Sequence, residues 1–207
     1  MKEIHHRKDY TRFSLDEQQT PDHPFPLFQE WLNTALEGES EVYKMVLSTA
    51  SPVGRPSSRI VLLRGYSEKG LVFYTSYESR KGLELAMNPQ ACLLFDWERE
   101  ERQVRLEGRV EKIDTEEAEK YFNSRPLESR ISAMASQQSE PIDSRKSLED
   151  RAEEIRQSGM VQRPDHWGGY LLIPDYVEFW QGRPNRLHDR IAYCQLDNGW
   201  RKFRLQP

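Results

Sequence analysis

The chain has 207 residues, of which 31% are charged and 11% aromatic, with a net charge of −4 and a sequence pI near 5.8. That length suits one large domain or two small ones and is enough to bury a sizeable core. The acidity argues against a dedicated nucleic-acid binder, no apolar run approaches the ~20 residues that span a bilayer, and the opening MKEIHHRKDY lacks the apolar stretch of a signal peptide.

Residues 1–25 are polar, with Pro21, Pro24 and Pro26 close together, and read as an arm leading into a helix. In that helix, PLFQEWLNTALEGE, helical spacing aligns Phe28, Trp31, Leu32, Ala35 and Leu36. Strand-like runs follow: YKMVLSTA, SRIVLLRGY, GLVFYTS, ACLLFDWE and RQVRLEGRVEKI, with turn signals such as Pro52-Val53-Gly54 and Glu68-Lys69-Gly70 between them. SYESRKGLELAMNP predicts a helix capped by Ser79 and ended before Pro89. DTEEAEKYFNS predicts another, opened by a capping box of Asp114 and Glu117, and a third starts at Pro126. A strongly charged helix near 147–157 precedes the last strands, GGYLLIPDYVEFWQG and RLHDRIAYCQL. The pattern predicts a single α+β domain over 26–207 with an antiparallel β-barrel core.

Most enzyme signatures are missing: there is no G-x-G-x-x-G, Walker loop, G-x-S-x-G or H-E-x-x-H, and five scattered histidines predict no metal site. Cys92 and Cys194 stand apart in no metal or redox spacing, which predicts reduced core thiols in a cytoplasmic protein. One physical conflict stands out. Arg80 and Lys81 fall in the first turn of a predicted helix, where cations oppose the macrodipole. A docked anion removes that conflict, since the free N–H groups, the dipole and both side chains then favour it. Tyr74 and Thr75 add hydroxyls just upstream, and Arg59 and Arg64 bracket the apolar RIVLLR. The bland alternative is two solvated cations.

A second anion cradle is offered by Tyr121, Arg125 and Ser129, four residues apart, if the kink at Pro126 lets them converge. Otherwise Tyr121 packs in the core and Arg125 faces solvent. Finally, FWQGRPNRLHDR concentrates cations near the C-terminus. On an extended strand Arg186, His188 and Arg190 share one face and Leu187 and Ile191 the other. Such a face is either solvated or set against something anionic or electron-rich. Two phosphate-sized sites and a tryptophan beside a cationic strand fit two phosphorylated molecules, a cofactor and a substrate.

VEFWQGRPNRLHDR resembles the C-terminal signature of the pyridoxine (pyridoxamine) 5′-phosphate oxidases, an E-F-W-Q segment, four variable residues, then R-L-H-D-R. RIVLLR, VFYTSYESRKG, ERQVRLEG, KYFNSRP, SQQS and the ending RLQP are similar to family segments in family order, from about residue 7 onward. The resemblance implies an FMN-binding split β-barrel with peripheral helices, acting as a cytoplasmic homodimer. It implies that Arg59, Ile60, Val61, Leu62, Arg64, Tyr74, Thr75, Arg80 and Lys81 hold FMN. Gln103, Gln138, Ser139, Trp180 and Arg190 would complete the flavin site, partly from the second subunit. Tyr121, Arg125 and Ser129 would take the substrate phosphate, assisted by Arg64, where the family generally has lysine. Arg186, Leu187 and His188 would face the substrate ring, Arg186 and His188 as catalytic residues, and Arg7, Lys8, Asp9 and Tyr10 would match an arm that covers the site. The implied activity is oxidation of pyridoxamine or pyridoxine 5′-phosphate by O2 to pyridoxal 5′-phosphate and H2O2. Rival readings are a different flavin enzyme on the same barrel, or a non-catalytic binder of FMN or pyridoxal phosphate.

Overall fold

The computed structural model describes residues 9–38 and 41–207. Among them the chain forms α1 (Pro24–Gly38), β1 (Lys44–Ala50), β2 (Pro56–Leu62), β3 (Gly65–Ser67), β4 (Gly70–Ser76), α2 (Arg80–Met87) and β5 (Gln90–Trp97). There follow β6 (Arg102–Lys112), α3 (Thr115–Ser124), α4 (Leu127–Ala135), α5 (Arg145–Ser158), β7 (Trp167–Gln181), β8 (Asp189–Leu196) and β9 (Gly199–Leu205). The strands pair in the order β2-β1-β5-β6-β7-β4-β3, with β8 joining β7 to β9. Pairing is antiparallel between β3 and β4, β4 and β7, β7 and β8, and β8 and β9. Contacts divide the chain into two compact units.

The first unit takes the described residues up to Val46 with Cys92–Gly108 and Pro174–Pro207. Its core is aromatic. The apolar stripe of α1 buries Phe28, Trp31, Leu32 and Ala35, with Phe28 edge-on to Phe95 at 5.4 Å and Trp31 edge-on to Phe179 at 5.2 Å. The Arg102 guanidinium lies over the Phe13 and Trp31 rings and donates from Nε to Gln181. The described part of the N-terminal arm is strapped down: Leu15 is buried and its N–H reaches Asp189, while Tyr193 donates to the Pro21 carbonyl and Lys202 to that of Thr20. Arg7 and Lys8 lie outside the described residues. β9 was not anticipated as a strand, because GWRKFRL buries no residue fully and shows no apolar alternation.

The second unit comprises Leu47–Ala91 and Arg109–Ile173. β4 alternates, burying Leu71, Phe73 and Thr75, and pairs Leu71–Ser76 with Leu172–Trp167 of β7. The expected single strand SRIVLLRGY is two, β2 and β3, linked through Leu63 and Arg64. The expected capping box is an N-cap alone: Asp114 accepts from the Glu116 N–H at 2.7 Å. α3 stops at Ser124 because the residue before a proline is driven out of helical geometry, and Arg125 has ψ 151. α5 buries none of its residues, as its charge pattern implies.

Candidate functional site

The second unit carries an open-sided cavity of about 660 Å³ lined by β2, β4, α2, α3, α4 and the start of β7. Five cations line it, Arg59, Arg64, Arg80, Lys81 and Arg125, and no carboxylate is among its lining residues. Glu84, outside the lining, pairs with Arg80 and Arg59, and the five cations still leave a positive excess at the cavity in a chain of net charge −4. Ile60, Val61, Leu62, Tyr74, Thr75, Tyr121, Gln138 and Ser139 also line it, so most residues expected around two phosphates are brought together. Ser129 is not in the lining. The break at Pro126 turns α4 so that Ser132 and Ser136 line the cavity instead.

The α2 N-terminus is built as its sequence predicts. Ser79 is the N-cap, accepting from the Gly82 N–H. Lys81 is buried, and its Nζ donates to Thr75 Oγ1 and Ser79 Oγ at 3.1 Å and to Gln138 Oε1 at 3.0 Å, all neutral oxygens. Burial pulls the ammonium down to about 8, with Arg59 acting in the same direction and Glu84 opposing. Arg80 and Arg59 are held differently. The buried Glu84 accepts from Arg80 Nε at 2.9 Å, Ser57 Oγ at 2.6 Å and Thr49 Oγ1 at 2.5 Å, with Arg59 Nη2 at 3.5 Å. Arg59 also donates to the Leu47 carbonyl, Thr49 and Ser57. Burial pushes the Glu84 carboxyl up, but these donors outweigh it and bring it to about 2. Sequence reasoning missed Glu84; its position four residues after Arg80 was the available signal.

The opposite wall is aromatic. Tyr74 stacks on Tyr121, centroids 3.8 Å apart and planes 20° apart, and on Trp167 at 5.4 Å and 15°. Gly169, opposite Tyr74 in the β4–β7 ladder, makes room: a Cβ there would lie 2.9 Å from Tyr74 Cε1. Arg125 lies over Trp167, Cζ to centroid 4.7 Å, and its Nη1 is buried without a hydrogen-bond partner. Burial lowers its pKa, Tyr121 opposing and Arg64 adding to the fall.

Gln103, Trp180, Arg186, Leu187, His188 and Arg190 belong to the first unit. The expected extended run from Arg186 to Arg190 is corrected. Pro184–Arg186 form a tight turn with φ of 56° at Asn185 and 62° at Arg186, and β8 begins only at Asp189. Proline sets the turn and asparagine tolerates the left-handed region, so the shared strand face does not exist. His188 Nδ1 accepts from the Arg183 N–H at 3.1 Å, which puts the neutral ring's proton on Nε2. Its ring lies 4.6 Å from Trp180, and Tyr10 meets both rings edge-on. Burial lowers the His188 pKa, with Arg186 acting the same way and Asp189 opposing. Arg190, directly opposite Trp180 in the ladder, donates from Nε to Glu178 Oε1 at 2.7 Å and from Nη1 to the Gln206 carbonyl. Glu178 is buried and also accepts from Arg105. Asp9 and Leu187 are exposed.

The nine-stranded sheet with peripheral helices is α+β, of the split β-barrel class. Its likeness to PhzG from Burkholderia lata 383, solved with tetrahydrophenazine-1-carboxylic acid, has a TM-score of 0.90 at 30% identity, covering 97% of this chain and 100% of that one. An FMN-binding protein from Nostoc punctiforme PCC 73102 shares the fold, at TM-score 0.70 and 18% identity over 89% of this chain and 97% of that one. Residues 33–159 match the family model Pyridoxamine 5′-phosphate oxidase, and residues 167–207 the Pyridoxine 5′-phosphate oxidase C-terminal dimerisation region. Pyridoxine/pyridoxamine 5′-phosphate oxidases of Burkholderia cenocepacia (strain HI2424) and Burkholderia thailandensis are 52% and 53% identical over 207 residues, 97% of each chain. The chain belongs to the pyridoxamine 5′-phosphate oxidase family. No helix among the described residues is long and apolar enough to cross a membrane.

Proposed function

We propose that the protein is an FMN-dependent oxidase that converts pyridoxamine or pyridoxine 5′-phosphate to pyridoxal 5′-phosphate, working as a homodimer. The observation that carries this reading is the cavity lined by five cations and no carboxylate. Its volume falls within the roughly 300–1,000 Å³ of small-molecule sites. The residues fit a flavin mononucleotide: Lys81 and Arg80 at the α2 N-terminus suit its phosphate, Thr75 and Gln138 its hydroxyls, and the β2 segment Ile60–Leu62 its ring edge. Bound there, FMN would supply two-electron redox chemistry between the substrate and O2, with H2O2 as the reduced product.

The chain's own groups bind and orient. Arg125, with an unpartnered Nη1, and Tyr121 beside it take the substrate phosphate, and Arg64 adds a second guanidinium. His188 presents an Nε2–H donor, and Arg186 a permanent charge, to the substrate ring. These, with Gln103, Trp180 and Arg190, are read as completing the site from the second subunit, in keeping with the match to a dimerisation region. Water hydrolyses the imine formed from the amine substrate, releasing ammonia. A second reading takes its motive from PhzG, whose solved complex holds a tricyclic carboxylic acid: the cationic wall would then bind a carboxylate.

The deciding experiment is the visible spectrum of the purified protein, followed by anaerobic addition of pyridoxamine 5′-phosphate and then air. Flavin absorbance should bleach, and on admission of air return with one H2O2 and one ammonia per turnover. A flavin band untouched by either phosphorylated vitamer would overturn the substrate assignment.

A further inference from the structure

We propose that Trp167 is the positioning residue that holds the Arg125 guanidinium plane so that its in-plane N–H groups face a phosphate monoester. The inference deepens the substrate reading above and rests on it for the ligand. Three observations carry it. Arg125 caps the C-terminus of α3 and is followed by Pro126, so its backbone is extended rather than helical. Its guanidinium lies over the Trp167 ring at 4.7 Å, with Phe122 farther off at 5.9 Å. Its Nη1 is buried and unpartnered.

A guanidinium stacked on an indole leaves its donors in the plane, the arrangement that recognises phosphate with two parallel hydrogen bonds. Trp167 is itself held by its neighbours. It is 6% exposed, stacks on Tyr74 and meets Phe122 edge-on at 5.2 Å. Its backbone N–H donates to the Pro164 carbonyl at 2.9 Å, and its backbone carbonyl accepts from Arg163 Nη1 at 2.7 Å. The Trp167 backbone is therefore anchored, and its indole packs against Tyr74 and Phe122. Tyr121, stacked on Tyr74, adds its hydroxyl-bearing ring to the same wall.

The test titrates the flavin-loaded protein with pyridoxal 5′-phosphate and with pyridoxal, following vitamer absorbance, for wild type, Trp167→Leu and Trp167→Phe. Trp167→Leu should weaken the phosphorylated ligand about tenfold, the scale of a desolvated cation–π contact, and pyridoxal much less. Trp167→Phe, which keeps an aromatic face, should recover most of that loss. In turnover the defect should appear more in KM than in kcat. Equal losses for both ligands, or a Phe variant no better than Leu, would overturn the role. Should Trp167→Leu not fold, the Arg125 Hε resonance of the wild type, assigned with Arg125→Lys, decides: an upfield ring-current shift supports stacking and its absence refutes it. A protein that binds the phosphorylated vitamer selectively but never oxidises it would fail the proposed function and leave the Trp167 role standing.

Discussion

Lys81 and Arg190 both stand among cations, one at the start of α2 and the other on β8, and their surroundings answer the charge in opposite ways. Arg190 is clamped by Glu178, whose other oxygen takes Arg105, and its bond to Glu178 drives its pKa up. Lys81 meets only hydroxyl and amide oxygens and is pulled down to about 8 by burial. A guanidinium neutralised within its own chain is fixed in place before any ligand arrives. An ammonium held by dipoles alone is the one that gains most from an incoming anion. Charge in the sequence marks both; the carboxylate partner tells them apart.

Removing Lys81 should have the largest effect. Lys81→Met should weaken FMN by about two decades while changing riboflavin little, since the charge-assisted bonds lost are worth roughly 1.5–3 kcal/mol. Equal losses for the two flavins would break the contrast. Its pH dependence follows from the lowered pKa. Between pH 8 and the ordinary 10.5 the unfolded chain keeps this proton and the native chain has lost it, so flavin-free stability rises with pH across that window. Lys81→Met should erase that slope in thermal melts and raise the flavin-free midpoint at pH 7. FMN affinity should fall as pH passes about 8 in wild type, from loss of the ammonium, and stay flat in the variant.

Glu178 gives the opposite sign. Glu178→Ala leaves Arg105 and Arg190 without their shared carboxylate and should cost about 2 kcal/mol, less than a fully buried pair because both arginines keep some solvent. Denaturant melts of the flavin-free protein measure it, and a midpoint equal to wild type would mean that the clamp is ornamental. A smaller effect belongs to Arg64, which lines the cavity and presses on Arg125. Arg64→Ala should lower kcat/KM for pyridoxamine 5′-phosphate about tenfold, while Arg64→Lys keeps most of it, one charge-assisted bond being at stake. Steady-state kinetics with unphosphorylated pyridoxine as the control should show little change.

What was legible in the sequence was local. Ser79 before the helix and Pro89 after it marked α2 and put Arg80 and Lys81 at its start, as found. Tyr121 and Arg125 were readable from their spacing, but Ser129 was not, because the turn at Pro126 resets the helical phase and presents Ser132 and Ser136 instead. Glu84 escaped because its importance comes from Thr49 and Ser57, brought to it by strands 35 and 27 residues away. Trp167 escaped for the same reason: its partners Tyr74 and Arg125 lie on β4 and at the end of α3. The strand face of Arg186, His188 and Arg190 failed where a Pro184-Asn185 turn overrode alternation.

The smallest predicted effect on stability concerns that turn. Arg186 has φ 62°, a region that costs a non-glycine residue roughly 1–2 kcal/mol. It is exposed, so no buried packing explains keeping a side chain there. Replacing it by glycine relieves the strain but frees the unfolded chain, which takes back about 0.4–1 kcal/mol. Arg186→Gly should therefore melt at or a few degrees above wild type. The proposed function requires the reverse for chemistry: the same variant should keep its FMN and be reduced much more slowly by pyridoxamine 5′-phosphate. Set beside Glu178→Ala, which should lose stability, this variant separates a charge kept for what it does from one kept for what it holds. A strained residue that can be removed with no loss in the anaerobic reduction rate would place Arg186 outside the chemistry and leave its backbone strain without a functional cause.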